Sequence, residues 1–119
     1  MKDFISYELA KKLEKKGFDC DNNYGYNEKG DICVPVYNID EDQLRAMTPC
    51  PEIHEVLKWL REEKKIYVSI LLFIFKEGWC YEILQIGKNH QHIATQCNSC
   101  DTYEQAAIAG IEYVIDNLI

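Results

Sequence analysis

The sequence predicts an α+β fold, with about three helices packed on an antiparallel or mixed sheet of about four to five strands. Amphipathic segments with helix-capping residues lie near the start, the middle and the end of the chain, and short alternating or continuously apolar segments lie between them. The expected order is helix, hairpin, helix, three-stranded meander, helix. Because 119 residues are enough to bury a hydrophobic core, we expect residues 1–119 to form one domain.

The first helix is predicted over residues 6–16. Ser6 is a favourable N-cap residue at its start. At its end, Gly17 occupies the position where a left-handed residue commonly stops a helix, and Phe18 is placed to pack back on Leu13.

The stretch "YGYNEKGDICVPVY" is predicted to form a hairpin. Tyr24 and Tyr26 alternate before a turn at Asn27–Gly30, and apolar residues alternate again after it. Pro35 cannot donate to a strand ladder, which indicates an edge strand or a strand end. The following segment, "NIDEDQLRAMTPCP", is interpreted as a polar loop.

A second helix is predicted in "TPCPEIHEVLKWLREEKK", with Pro51 in its first turn. Apolar residues follow the i, i+3, i+4, i+7 rule at Ile53, Val56, Leu57 and Leu60. His54, with Glu52 and Glu55 nearby, is interpreted as part of a solvated helix face rather than as acid–base machinery.

The longest apolar run, "IYVSILLFIF" from Ile66 to Phe75, has ten residues, whereas a membrane-spanning helix needs about twenty. Because it is apolar on both faces, we expect a strand in the centre of the sheet, covered on both sides. "WCYEILQI" and "HQHIATQ" continue it as an antiparallel meander.

The last helix begins near "CDTYEQA". A capping box can form there in two ways, from Thr102 with Gln105 or from Asp101 with Glu104. Gly110 lowers the helix propensity, and we expect it to permit close approach to the sheet.

The charge of the chain is uneven. Of the net charge of −7, residues 19–42 carry −6, because seven acidic side chains stand there against Lys29 alone. An acidic chain lacks the basic footprint that direct nucleic-acid binding requires. The start of the chain does not have the pattern of a secretory signal, so we expect a cytoplasmic protein with reduced thiols and no membrane contact.

The segment "HQHIATQCNSC" is rich in residues that can bind a metal ion. His90 and His92 would point to the same face of a strand, and Cys97 and Cys100 have the spacing of a zinc knuckle. A zinc site of these four residues is stereochemically possible, although zinc modules usually separate their ligand pairs by a dozen residues or more. The alternative is an ordinary strand and turn.

The acidic hairpin region is the candidate interaction surface, because tyrosine is enriched at protein interfaces. Its proposed members are Tyr24, Tyr26, Asp31, Tyr37, Asp40, Glu41 and Asp42. The alternative is a hairpin whose tyrosines pack on the protein's own core.

Four stretches together resemble small proteins of prophages and mobile elements from gut anaerobic bacteria. These stretches are "SYELAKKLEKKGFD", "YGYNEKGDIC", "TPCPEIHEVLKWLREEKKIYVSI" and "DTYEQAAIAGIEYVIDNLI", and they span nearly the whole chain. The resemblance implies an accessory protein of such an element, and it implies no activity or catalytic residue.

The sequence therefore favours a protein that acts by contact with another protein, for example as an acidic decoy for a basic nucleic-acid-binding partner. A zinc-stabilised module is the alternative, and an enzyme with an unrecognised cleft is the third. A homodimer is also open, because a second subunit could cover the two-sided apolar strand or the last helix.

Overall fold

The computed structural model describes residues 4–18, 25–27, 29–33, 48–72, 78–87 and 91–119, with residues 32, 33, 49 and 97–99 described as backbone only. The chain divides into two compact units, Met1–Glu52 and Ile53–Ile119. Each unit contains helix and antiparallel strands, so the α+β class is confirmed. The single domain stays a prediction.

The first unit combines helix α1 (Tyr7–Lys15) with a small antiparallel sheet. Strands β1 (Gly25–Tyr26), β2 (Ile32–Cys33) and β3 (Thr48–Pro49) are ordered β2-β1-β3. The pairing of Tyr26 with Ile32 confirms the predicted hairpin next to its turn, whereas β3 falls in a segment interpreted as a loop. Among the described residues of this unit, the buried apolar ones include Ile5, Leu9, Ala10, Leu13, Phe18, Tyr26, Cys50 and Pro51.

Both ends of α1 follow the sequence prediction. The Ser6 hydroxyl accepts a hydrogen bond from the Leu9 amide at 3.3 Å, as an N-cap does. At the other end Gly17 has a φ of 90°, and the Phe18 amide donates to the Leu13 carbonyl at 3.1 Å. This is the hydrogen bond of a Schellman stop, and it holds Phe18 against the core of the unit.

The second unit is a three-stranded antiparallel meander with two helices. Helix α2 (Ile53–Glu63) leads into β4 (Ile66–Leu72), β5 (Trp79–Gln85) and β6 (Gln91–Cys100), and helix α3 (Tyr103–Asn117) ends the chain. The strand order is β4-β5-β6. Both helices pack against β4, and α3 also packs against β5 and β6. The buried apolar residues of this unit are Ile53, Val56, Leu60, Ile66, Val68, Cys80, Tyr81, Ile83, Ala106, Ala107, Ile111, Val114 and Ile115.

Helix α3 is capped by Thr102, whose hydroxyl accepts from the Gln105 amide at 3.1 Å. The N-cap of the predicted Thr102–Gln105 box is thus present, but the Gln105 side chain accepts from the Asp101 amide at 3.0 Å instead of the Thr102 amide. Gly110 faces the sheet so closely that a Cβ there would lie 2.7 Å from Val68 Cγ1 and 3.2 Å from Tyr81 Cγ. The predicted close approach at this glycine is confirmed.

The position of β4 differs from the sequence prediction. Among the described strands β4 pairs with β5 alone, so within this part of the chain it lies at the edge of its sheet and not in the centre. One face is buried at Ile66 and Val68, whereas Tyr67 and Leu71 on the other face are each 40% exposed. A continuous apolar run indicates that a strand forms, but its place in the sheet depends on distant partners. Likewise, the single sheet of about four to five strands is not seen among the described residues, whose six strands form two sheets of three.

Candidate functional site

Tyr26, the last residue of β1 before the turn, anchors the acidic hairpin. Its ring is buried and stacks at a tilt on Tyr7, with 5.3 Å between ring centroids. Its hydroxyl donates to the Ile5 carbonyl. Burial, and then the neighbouring Cys50 thiol, raise the pKa of the Tyr26 phenol well above its usual range. Tyr26 therefore holds the hairpin against Tyr7 and Ile5 within the first unit, and little of its own surface is left for a partner.

The turn of the hairpin is closed by Asn27, whose side-chain oxygen accepts from the amides of Lys29 at 2.9 Å and Asp31 at 3.0 Å. Gly30 has a φ of 83°, and a Cβ there would lie 2.9 Å from the Tyr7 ring. Only glycine satisfies both constraints. The result is a fixed turn that presents Asp31 as an exposed carboxylate.

The other members of the candidate interaction surface lie outside the described residues. These are Tyr24, Tyr37, Asp40, Glu41 and Asp42. Of the seven candidates, the structure thus describes Tyr26 as a buried anchor and Asp31 as an exposed acid. The contact surface as a whole stays a prediction.

The structure describes the side chains of two of the four candidate zinc ligands. His90 and the side chain of Cys97 lie outside what the structure describes, but His92 and Cys100 are at opposite ends of β6. Their partners on β5 are Leu84 and Trp79. These two partners are five residues apart on β5, which places His92 and Cys100 about 17 Å apart along the sheet. Zinc bonds to nitrogen and sulfur are only about 2.0–2.3 Å long.

His92 and Cys100 therefore lie too far apart to bind one ion in this arrangement. The four-residue zinc site, an alternative raised by the sequence, stays a hypothesis because two of its members lie outside what the structure describes. The CNSC segment belongs to the strand instead of forming a knuckle. The exposed His92 ring hydrogen-bonds the Thr95 hydroxyl. Of the six cysteines, Cys50, Cys80 and Cys100 form no disulfide.

A second group of possible ligands stands at the start of α2. Glu52, His54 and Glu55 each offer one ligand atom, and these atoms lie within 4.8 Å of one another. His54 is exposed and the two carboxylates are half-buried. Such acidic groups on a helix flank are common without an ion, so this cluster supports no metal assignment. The sequence interpretation of these residues as a solvated helix face remains the simpler one.

The sequence pointed to a two-sided apolar strand that a second subunit could cover, but not to the exposure of β4 at the edge of the described sheet. Four large apolar side chains are exposed among the described residues, and three of them, Tyr67, Leu71 and Leu72, lie on this strand. Leu72 is the most exposed, at 61%. The signal available in the sequence was the lack of any charged residue between Ile66 and Phe75.

No helix in the described part of the chain has both the length and the apolar character needed to cross a membrane. No family model, no curated protein and no solved structure matches this chain.

Proposed function

We propose that this protein acts by binding another protein through the acidic segment of residues 19–42, and that its partner is basic. The observation that carries the proposal is the charge distribution: the segment holds −6 of the net −7. Such a concentration of carboxylates raises the local concentration of a cationic partner and speeds its association. A basic nucleic-acid-binding protein is the partner class that this charge fits best.

The first unit supports this proposal by fixing the part of the acidic segment that the structure describes, residues 25–27 and 29–33. Tyr26 is held in the core, and the turn after it is closed by side-chain and backbone hydrogen bonds. Asp31 is therefore presented from an ordered turn. A partner would lose less conformational entropy on binding an anchored acidic surface than on binding a free tail.

The resemblance to prophage and mobile-element proteins gives the proposal its setting. We infer an accessory protein whose acidic surface competes with nucleic acid for a basic partner. This role needs no catalytic group, and it agrees with the location of the charge on one segment.

The test compares two triple variants that remove the same charge. Asp40→Asn, Glu41→Gln and Asp42→Asn together neutralise part of the acidic segment, whereas Glu62→Gln, Glu63→Gln and Glu112→Gln neutralise acids outside it. Both variants have a net charge of −4, from −7 plus three. The probe is a fluorescent oligolysine peptide, measured by anisotropy at low salt.

We expect the segment variant to bind the peptide about tenfold more weakly than the native chain, a change of about 1.4 kcal/mol. The control variant should bind within about threefold of the native chain. Equal losses in the two variants would show that only the total charge matters. A native chain that binds neither oligolysine nor any basic protein in a low-salt pull-down would end the proposal.

A further inference from the structure

The outer edge of strand β4 has the features of a strand that pairs with another chain. Among the described residues nothing pairs with its outer edge. Natural edge strands usually carry a lysine, a proline or a bulge that discourages pairing with another chain. Between Ile66 and Leu72 there is no charge and no proline, and the pairing of β4 with β5 runs without a register shift.

The sequence of β4 is complementary to itself. If two copies pair antiparallel with Ser69 opposite Ser69, Tyr67 lies opposite Leu71 and Val68 lies opposite Ile70. The first pair joins the two side chains that are each 40% exposed on the open face of the sheet. The second pair continues the face that packs against α3, where Val68 is already buried.

The charges near β4 also fit a second copy. Lys64 and Lys65 precede the strand, and an antiparallel pair places these lysines of the two copies at opposite ends of the joint. No like charges therefore face each other within the seven paired positions. The edge of β4, Ile66–Leu72, is called the apolar strip. A basic or acidic chain would form no ion pair with this uncharged strip, so the strip favours a second copy of itself over a charged partner.

We propose that β4 pairs with β4 of a second copy of this chain, in the register centred on Ser69, to join two three-stranded sheets into one of six strands. A seven-residue strand is about 24 Å long. Pairing along one strand of this length buries a small surface. Stable complexes usually bury at least about 1,200 Å² in total, and this interface lies near or below that value. We therefore expect a weak, reversible dimer, with a dissociation constant on the order of micromolar.

The first experiment measures mass against concentration by sedimentation velocity, from about 1 µM to about 500 µM, a range that brackets such an affinity. The weight-average mass should rise from 13.9 kDa towards twice that value. Leu71→Lys and Tyr67→Lys place a charge on the strip and should each weaken association at least about tenfold. Tyr103→Lys changes a side chain of nearly the same exposure, 41%, outside the strip and should associate like the native chain.

The second experiment tests the register. Side chains directly opposite each other have Cβ atoms about 4.5–5.5 Å apart, close to disulfide geometry. Mild oxidation of Ser69→Cys should therefore link two chains through the substituted position, as peptide mapping would show. The same substitution at Tyr67 puts the two thiols four residues out of register, about 14 Å apart, and should give no such link.

Two results would overturn the proposal. One is a native chain that stays at 13.9 kDa over the whole concentration range, which together with concentration-independent protection of the β4 amides from hydrogen exchange would assign the edge to another segment of the same chain. The other is a dimer that survives both lysine substitutions in variants whose circular dichroism and melting temperature match the native protein. A dimer that forms without the Ser69→Cys link would overturn the register.

Discussion

Lys65 is a non-glycine residue with a left-handed backbone, at a φ of 56°. It lies in the short connection between α2 and β4, and its carbonyl accepts from the Ile86 amide at 2.8 Å and from Gln85 Nε2 at 3.1 Å. These two bonds hold the residue in a conformation that costs a side chain about 1–2 kcal/mol. The Lys65 side chain is exposed, so its replacement removes no buried contact.

Lys65→Gly should therefore stabilise the protein. Relief of the Cβ clash outweighs the greater entropy of glycine in the unfolded chain, for a net gain of about 0.5 kcal/mol in the free energy of unfolding. Urea denaturation measures the gain. Lys65→Ala is the matched control, since it removes the same charge but keeps the Cβ. If the alanine variant gained as much as the glycine variant, the effect would come from charge and not from strain.

Tyr26 makes the stability of the protein sensitive to alkaline pH. Burial and the Cys50 thiol raise its pKa, and burial with the nearby Tyr113 raises the pKa of Tyr81. Below a pH of about 10 both phenols are protonated in the folded and the unfolded chain, so they add no pH dependence. Above it the unfolded chain loses these protons first, and the free energy of unfolding falls with a slope of up to about 1.4 kcal/mol per pH unit for each phenol.

Replacement of Tyr26 by phenylalanine should reduce this slope, as urea denaturation between about pH 9 and pH 11.5 would show. At neutral pH the same variant should lose about 1 kcal/mol, because the Ile5 carbonyl loses its hydrogen bond. Tyr67→Phe leaves the buried phenol in place and should keep the native slope. An unchanged slope in the Tyr26 variant would show that other groups cause the alkaline loss.

Helix α3 depends on a contact that only glycine permits. A Cβ at position 110 would lie 2.7 Å from Val68, inside the distance that real Cβ atoms adopt, and also close to Tyr81 Cβ. Neither neighbour can retreat easily, because both are buried in the sheet beneath the helix. The helix and the sheet would have to move apart.

Gly110→Ala should therefore destabilise the protein by about 1–3 kcal/mol, despite the better helix propensity of alanine. Thermal and urea unfolding would measure the loss. Gly87→Ala is the control, since nothing lies within 4 Å of a Cβ there. A stabilised Gly110→Ala variant would mean that propensity outweighs packing and that the helix is not held against β4.

Local sequence signals predicted the helices of this protein well and its strand arrangement less well. The ends of α1 and α3 follow from a few adjacent residues, such as Ser6 and Thr102, and their caps are as expected. The edge position of β4 depends on which strands lie beside it, and β3 is only two residues long. Neither property is encoded in the local pattern.

The candidate sites show the same limit. The zinc hypothesis depended on a turn between His92 and Cys100, but β6 continues through both, so the ligands separate along the strand. The alternation of Tyr24 and Tyr26 indicated a hairpin and left open whether its tyrosines face a partner or pack on the core, and the buried Tyr26 ring agrees with the second interpretation. Residue types suggest what chemistry is available, whereas their distance depends on the register of elements that lie far apart in sequence.

The whole chain is an acid with a net charge of −7 and an isoelectric point near 4.9. This negative charge affects both proposed interactions, the pairing of two β4 strands and the binding of a basic partner. Two copies of an acidic chain repel each other, whereas an acidic chain and a basic partner attract each other. The paired β4 strands carry no charged residue, so salt changes the strength of self-association only through the repulsion between the two acidic molecules.

Salt should therefore change the two interactions in opposite directions. Raising the ionic strength from about 20 mM to about 300 mM shortens the Debye length from roughly 20 Å to roughly 6 Å. The screened repulsion should strengthen self-association severalfold in sedimentation, while the loss of attraction should weaken binding of the oligolysine probe at least about tenfold. If self-association weakened in parallel with oligolysine binding, charged contacts would hold the dimer together and the apolar strand would not. If oligolysine binding were insensitive to salt, the carboxylates of the acidic segment would not be its source.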